Sequence, residues 1–342
     1  MVLLLGSGLA PAVGAGGASV KELVDVVRSA IRRREPDSKL AKTLRNLTLK
    51  EKLDDRTIEE LQSEGAGPLA AAELVDLRDS SDGLPPPVEL PMFLSPPAPS
   101  RVEASSALND AASYAVSYIR GLPDFICTQT VRRYEHFRSR GVDSWRPRDI
   151  LTVKLTYFDF QEKYDLTAID NHPTKVSYES AGGTVSEGEF GSILHEVFDP
   201  RSGTHFDWHH WTTLRGRAAY VFEFAIDAAH STYRIKYGQP GISVEAVVGA
   251  HGFLYVDRET SQILRLIRVA DIKPGFPVTS AAIWLDYDFA DVAGRRYLLP
   301  LHVDLRMSTA PLSTRNDVSY HDYRKFTGDS SIKFDTPAEN KP

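Results

Sequence analysis

A chain of 342 residues with 42% apolar and 25% charged residues is long enough to bury a sizeable core and to hold two folding units. Its formal net charge of −6 argues against a dedicated nucleic-acid binder, because phosphate contacts need a clustered excess of Lys and Arg. The single cysteine rules out an intrachain disulfide, and beyond the start no run approaches the roughly 20 apolar residues that a membrane helix needs.

Residues 1–18 carry a short apolar core, Val2 to Leu5, followed by small residues around Ala12 to Ala18, as in a secretory signal and its cleavage site. The basic n-region is missing, so the segment reads as a truncated signal; a plain Gly/Ala-rich apolar tail is the other reading. A signal places the mature chain in the periplasm or another extracytoplasmic compartment.

Residues 19–80 are written as short helices that form a small bundle. Val20, Leu23, Val24, Val27 and Ile31 fall on one stripe, with Arg32, Arg33 and Arg34 in the last turn, where cations suit the helix dipole. Pro36 stops this helix. Asp37 or Ser38 is placed to cap a second helix through Leu40, Leu44 and Leu47, and Asp54 opens a third through Ile58 and Leu61. The turn Gly65 to Pro68 leads into an Ala-rich helix from Leu69 to Leu77. Ile58 to Leu74 is similar to a helix-hairpin-helix, whose turn and following amides hold a phosphate, yet no Lys or Arg lies between Gly65 and Leu77. A plain inter-helix turn is the competing reading.

Residues 81–101 are a proline-dense linker, which favours an extended, semi-stiff spacer; a groove-binding proline-rich ligand is the alternative. The main domain, residues 102–336, opens with a helix from Val102 to Leu122 that Gly121 and Pro123 end. Strand patterns follow at Phe125–Tyr134, Ile150–Phe160, Lys163–Ile169 and Thr174–Glu179. Phe190, Ile193, Leu194, Val197 and Phe198 then mark a short helix. Strands resume at Thr204–Thr212, Ala218–Ile226, Ser231–Tyr237 and Ile242–Val248. Two antiparallel hairpins come next. The first turns at Arg258–Ser261, and the second joins Ala282–Phe289 to Arg296–Leu305 around Gly294, which supplies the φ > 0 position of a tight turn. Asp317–Phe326 and Ser331–Phe334 complete the meander, and residues 337–342 form a disordered tail. Cys127, in an alternating strand, reads as an inward packing residue.

The helix running into Leu122–Phe125, the stretch Gly252–Arg265, and Ala282–Pro300 with its Asp286–Val292 segment resemble the outer-membrane lipoprotein carrier superfamily, the LolA- and RseB-like half barrels. The resemblance covers about two thirds of the chain by its strand pattern. It implies an α+β fold: a curved antiparallel β-sheet, a half-barrel meander, covered by helices and here preceded by a small all-α unit. It also implies a concave face that holds acyl chains or the lipid of a partner lipoprotein. The helical unit and the linker lie outside the family pattern. No lid arginine of the family has a counterpart here, so ligand contacts do not carry over.

His205, Asp207 and His209 alternate on a strand and share one face, a spacing from which two imidazoles and a carboxylate can grip Zn²⁺ with an open position. Phe206, Trp208 and His210 share the other face. No Gly-x-Ser-x-Gly, His-Glu-x-x-His, phosphate-loop or dinucleotide motif is present. His195 and His302 read as packed or solvated, and Asp286, Asp288 and Asp291 as a hydrated acidic cluster. The favoured expectation is an extracytoplasmic, non-enzymatic module for an acyl chain, lipoprotein or other apolar ligand, with no cofactor and no transmembrane segment in the mature chain. A metal-dependent hydrolase using His205, Asp207 and His209 is the alternative. Nucleic-acid contact by the N-terminal helices is a third reading, although no nucleic-acid partner is expected of an exported chain.

Overall fold

A computed structural model describes residues 17–89, 96–137, 145–159, 161–184, 189–239 and 242–326. The signal-like start to residue 16, linker residues 90–95, the Ser331–Phe334 strand and the tail at 337–342 lie outside these residues.

The N-terminal helices are α1 (Val20–Arg32), α2 (Asp37–Arg45), α3 (Asp55–Ser63) and α4 (Pro68–Ser80). A capping box starts α1: Glu22 N–H donates to Ser19 Oγ at 3.1 Å, and Ser19 N–H donates to Glu22 Oε2 at 2.7 Å. Asp54 caps α3 by accepting from Thr57 N–H at 2.9 Å. Asp37 does something its position in the sequence does not announce. It is the first residue of α2, and its carboxylate accepts from Leu69 N–H at 2.8 Å and Ala70 N–H at 3.0 Å, so it caps α4. Gly67 makes room for it, since a Cβ there would lie 2.4 Å from Asp37 Cγ. The stripe of α1 joins Leu44, Leu53, Leu61 and Leu74 in one core. Each fully buried Leu contributes roughly 2 kcal/mol by the area it removes from water.

The helix α5 (Arg101–Gly121) leads to β1 (Phe125–Phe137), β2 (Arg146–Phe158), β3 (Gln161–Ile169), β4 (His172–Pro173) and α6 (Ser192–Phe198). Then come β5 (His205–Leu214), β6 (Arg217–Ile226), β7 (Arg234–Gln239), β8 (Ile242–Val247), β9 (Gly249–Asp257) and β10 (Ile263–Asp271). The last strands are β11 (Val278–Val292), β12 (Arg295–Thr309) and β13 (Leu312–Lys325). Among the described residues, eleven strands form one sheet in the order β4-β3-β2-β1-β13-β12-β11-β10-β9-β6-β5, and β7 and β8 pair separately. The sheet is antiparallel and does not close; β4 and β5 are its edges. The fold class is therefore the one read from the sequence. Tight hairpins carry positive φ at both central residues, at Asp170–Asn171, Arg215–Gly216 and Ala293–Gly294, the type I′ geometry that matches strand twist.

The strand expected at Thr174–Glu179 is not formed. After Pro173, on the outermost strand of the order, Thr174 N–H still donates to the Thr167 carbonyl at 3.1 Å, and the chain then leaves the sheet for a 3-10 turn at Glu179–Ala181. Arg133, almost fully buried, holds that turn by donating to the Gly182 carbonyl while its other nitrogens grip Asp149.

By compactness the chain divides into two units. The first comprises Met1–Ala111, Phe206–Glu223 and Phe253–Leu264; the second comprises Ala112–His205, Phe224–Gly252 and Arg265–Pro342. In the second, β1 alternates strictly: Phe125, Cys127, Gln129, Val131 and Arg133 are buried, with Gln129 opposite Tyr320 and Val131 opposite Val318 on β13. The reverse face of β11–β13 carries charge, with Asp286 opposite His302 and Trp284 opposite Asp304.

Candidate functional site

The second unit presents a layer of aromatic rings on the buried side of its strands. Phe190 lies at the centre. Phe125 and Tyr320 approach its ring at 5.2 and 5.3 Å, Tyr157 at 6.3 Å and Tyr323 at 6.5 Å. Tyr118 of α5 meets Tyr287 edge-on at 6.2 Å. Period-two alternation delivers Phe125, Tyr320 and Tyr287 to this side. Phe190 is fixed by its backbone: its N–H donates to Glu162 Oε1 at 3.2 Å, and the preceding Glu189 carbonyl accepts from the Tyr287 hydroxyl at 3.2 Å. The Tyr164 hydroxyl stands between the Glu162 and Glu189 carboxylates, 3.0 Å from Glu189 Oε2. Burial pushes the phenols of Tyr118, Tyr287, Tyr320 and Tyr323 well above their ordinary range, so all four stay neutral.

Two polar atoms within this layer, Tyr118 Oη and Gln129 Oε1, are buried without a hydrogen-bond partner. Such atoms are rare in folded proteins and mark places where water or a ligand belongs. A cavity of about 260 Å³ opens beside the layer, lined by Leu122, Asp124, Tyr157, Phe158 and Asp159. Phe158 is 50% exposed there, an unusual amount for a ring of its size. Burial raises the Tyr157 phenol to about 12. The volume falls just below the roughly 300–1,000 Å³ of drug-sized pockets, and the lining mixes apolar side chains with the carboxylates of Asp124 and Asp159.

The first unit holds a different constellation, a relay that runs from a buried carboxylate to a histidine on the exposed face of β5. Glu59 of α3 is only 2% exposed. Its carboxylate accepts from the Tyr255 hydroxyl of β9, and His210 Nε2 of β5 stands 3.5 Å from Glu59 Oε2. His210 Nδ1 in turn lies 2.6 Å from His209 Nδ1, a separation that allows one shared proton and no second. Burial, and then the neighbouring His210, lower the pKa of His209. The contacts of Glu59 join α3 to β9 and β5.

His205, Asp207 and His209 occupy exposed positions of β5. Among the described residues no three His, Cys, Asp or Glu side chains are grouped so that they could hold a metal ion. The amides that a helix-hairpin-helix would offer to phosphate, after Gly67, are taken by the Asp37 carboxylate. Cys127 is buried, and burial pushes its thiol far up. Asp286 is gripped by Arg265 at 2.7 and 3.0 Å, and Asp291 accepts from Gly294 N–H at 2.9 Å to close the β11–β12 turn. His195 is exposed, 3.9 Å from Asp199, whereas His302 bonds Asp317 at 2.9 Å.

Sequence reasoning passed over Glu59, Tyr255 and Gln129. Glu59 sits beside the apolar stripe of α3 and has the composition of a solvated residue, so nothing local marks it. His210 did carry a signal, because alternation puts it with Phe206 and Trp208 on the aromatic face of β5.

No family model matches this sequence, and no curated protein sequence matches it. Among solved structures, the chain is similar to an outer membrane lipoprotein-sorting protein domain from Vibrio parahaemolyticus, with 12% identity and a TM-score of 0.36 over 65% of this chain and 94% of that one. A LolA superfamily protein from Nitrosomonas europaea gives 9% identity and a TM-score of 0.33 over 66% and 94%. The lipoprotein LppX from Mycobacterium tuberculosis gives 9% identity and a TM-score of 0.23 over 66% and 96%. At such identities and TM-scores no residue role transfers to this chain.

Proposed function

We propose that this chain is a non-enzymatic, extracytoplasmic binding module whose second unit takes an acyl chain, free or as part of a lipoprotein, against the aromatic face around Phe190. The observation that carries the proposal is that ring layer, with two buried, unpartnered polar atoms, Tyr118 Oη and Gln129 Oε1, and a small cavity that Tyr157 of the same layer helps to line. Apolar surface supplies affinity in proportion to area, and a few placed polar groups supply orientation. The ligand enters between Leu122 and Phe158, and its carbonyl or headgroup oxygen meets the Tyr118 hydroxyl. The signal-like start supports an extracytoplasmic site of action. No helix among the described residues is long and apolar enough to cross a membrane.

Lipid analysis of the protein after mild purification tests the proposal. Co-purified lipid at a substantial fraction of an equivalent is expected. Protein that carries none, and that also leaves a fluorescent fatty acid unchanged, overturns it.

A further inference from the structure

Residues 81–101 read from composition as a spacer, yet their described parts are fastened within the first unit. Lys52 N–H donates to the Pro85 carbonyl at 2.8 Å, and Leu84 packs on the helical core. Further along, the indole N–H of Trp211 donates to the Pro97 carbonyl at 2.9 Å. Past the linker, Glu103 in the first turn of α5 accepts from the Tyr220 hydroxyl at 3.0 Å.

The surface under Pro97 is built from rings. Trp211 lies 4.9 Å from Trp208 and 4.6 Å from Tyr220, and Tyr220 stacks on Phe222 at 5.9 Å. The Arg258 guanidinium lies over the Trp211 ring at 4.9 Å. The described segment next to them, Pro96-Pro-Ala-Pro-Ser100, has neither helix nor strand. Each proline fixes its own φ near −65°, and Pro97 and Pro99 push Pro96 and Ala98 into the extended region, which together write a polyproline II turn. Such a segment has carbonyls with no internal donors and flat rings that lie well on aromatic side chains. An indole N–H donating to a proline carbonyl beside neighbouring aromatic rings is a contact suited to reading polyproline in an aromatic groove.

We propose that Trp208, Trp211 and Tyr220 form a polyproline-recognition site, and that its resident ligand is this chain's own Pro96–Pro99 segment. The linker is therefore a docked strap, released when the bond from Trp211 to the Pro97 carbonyl opens. Tethering explains the occupancy. A short linker holds its ligand at an effective concentration in the millimolar range, enough to saturate a site that is weak for free peptides.

The test uses a variant of the full chain in which the strap is vacated, Pro96→Ser, Pro97→Ser and Pro99→Ser, and a synthetic peptide of residues 95–100. Tryptophan fluorescence and the indole N–H resonance of Trp211 report binding. The vacated chain is expected to bind the peptide saturably, the unmodified chain at least about tenfold more weakly. Adding Trp211→Phe to the vacated chain is expected to cost at least about tenfold in affinity through loss of the donor. A folded vacated chain with no saturable response up to millimolar peptide overturns the proposal, as does equal binding of a peptide with alanine at all three prolines. The unmodified chain gives an independent check that needs no substitution. Millimolar peptide is expected to speed protease cleavage in residues 90–100 severalfold, and an unchanged cleavage rate also counts against the strap.

Discussion

Sites in the two compact units bury a carboxylate in contrasting ways. In the second unit, Asp304 and Glu196 meet guanidinium groups. Asp304 is held by Arg306 at 2.7 Å and Arg315 at 3.1 Å, and Glu196 by Arg268 at 3.1 Å with Ser231 and Thr232 completing its bonds. Burial alone would raise the Asp304 carboxyl, and Arg306 and Arg315 outweigh it and hold the group far below the usual range. In the first unit the buried carboxylate of Glu59 has a tyrosine and a histidine for company. Arginine keeps its charge at any physiological pH, so burial at Asp304 and Glu196 is offset by permanent cations, whereas at Glu59 it is met by a hydroxyl with an imidazole 3.5 Å away.

The largest expected effect comes from breaking a pair in the second unit. Arg268→Ala leaves Glu196 buried without its cation and removes a guanidinium that lies 3.8 Å from the Tyr233 ring. A loss of roughly 3–5 kcal/mol is expected, read from the urea midpoint. A loss under about 1 kcal/mol would show that the pair is not desolvated as placed.

Glu59→Gln should cost less, roughly 1–2 kcal/mol, because the amide oxygen still accepts from Tyr255 while the contact to His210 weakens. Glu59→Leu strands both partners and should cost more than Glu59→Gln. The reverse order in thermal melts contradicts the relay.

The two histidines sharpen the contrast through opposite pH slopes. His209 is lowered from 6.5 by burial first and by His210 next, with Arg56 adding to the effect and Glu223 and Glu59 opposing it. Its folded pKa lies below its unfolded one, so its contribution is present above about 6.5 and is lost as pH falls toward the lowered value. His302 behaves oppositely. Burial lowers it, but the bond to Asp317 and the charges of Asp286, Asp317 and Asp304 outweigh burial and raise it. Its contribution is complete below about 6.5 and is lost as pH rises through the raised value. His209→Phe should flatten the acid limb of stability against pH, and His302→Gln the alkaline limb. Swapped effects contradict these assignments.

The smallest expected effect concerns metal. Protein exposed to Zn²⁺ and then desalted should retain less than about a tenth of an equivalent. Retention near one equivalent that disappears with His205→Ala or His209→Ala supports the chelate read from the alternation on β5.

Much of the sheet was legible in the sequence, because alternation and turn chemistry are local. Ala293–Gly294 and Arg215–Gly216 announce their hairpins, and Phe190, Ile193, Leu194 and Val197 announce α6. What was hidden depends on partners far along the chain. Asp37 caps a helix 32 residues away, Glu59 meets Tyr255 across 196 residues, and Trp211 reaches Pro97 across 114. A polar residue that serves a distant group has the local signature of a solvated one. Gln129 likewise looks like an ordinary strand residue until the register places it opposite Tyr320.

The most direct test of the aromatic face as a ligand site is a titration with a fluorescent fatty acid, comparing the unmodified chain with Phe158→Asp and Tyr118→Phe. Phe158→Asp places a charge at the cavity mouth and should weaken binding at least about tenfold by the cost of desolvating it. Tyr118→Phe keeps the ring, removes the orphan hydroxyl and should weaken binding several-fold while stability holds or rises. Saturable binding that falls in both variants is the expected result; binding that is absent in the unmodified chain, or undiminished in both variants, contradicts a ligand site on this face.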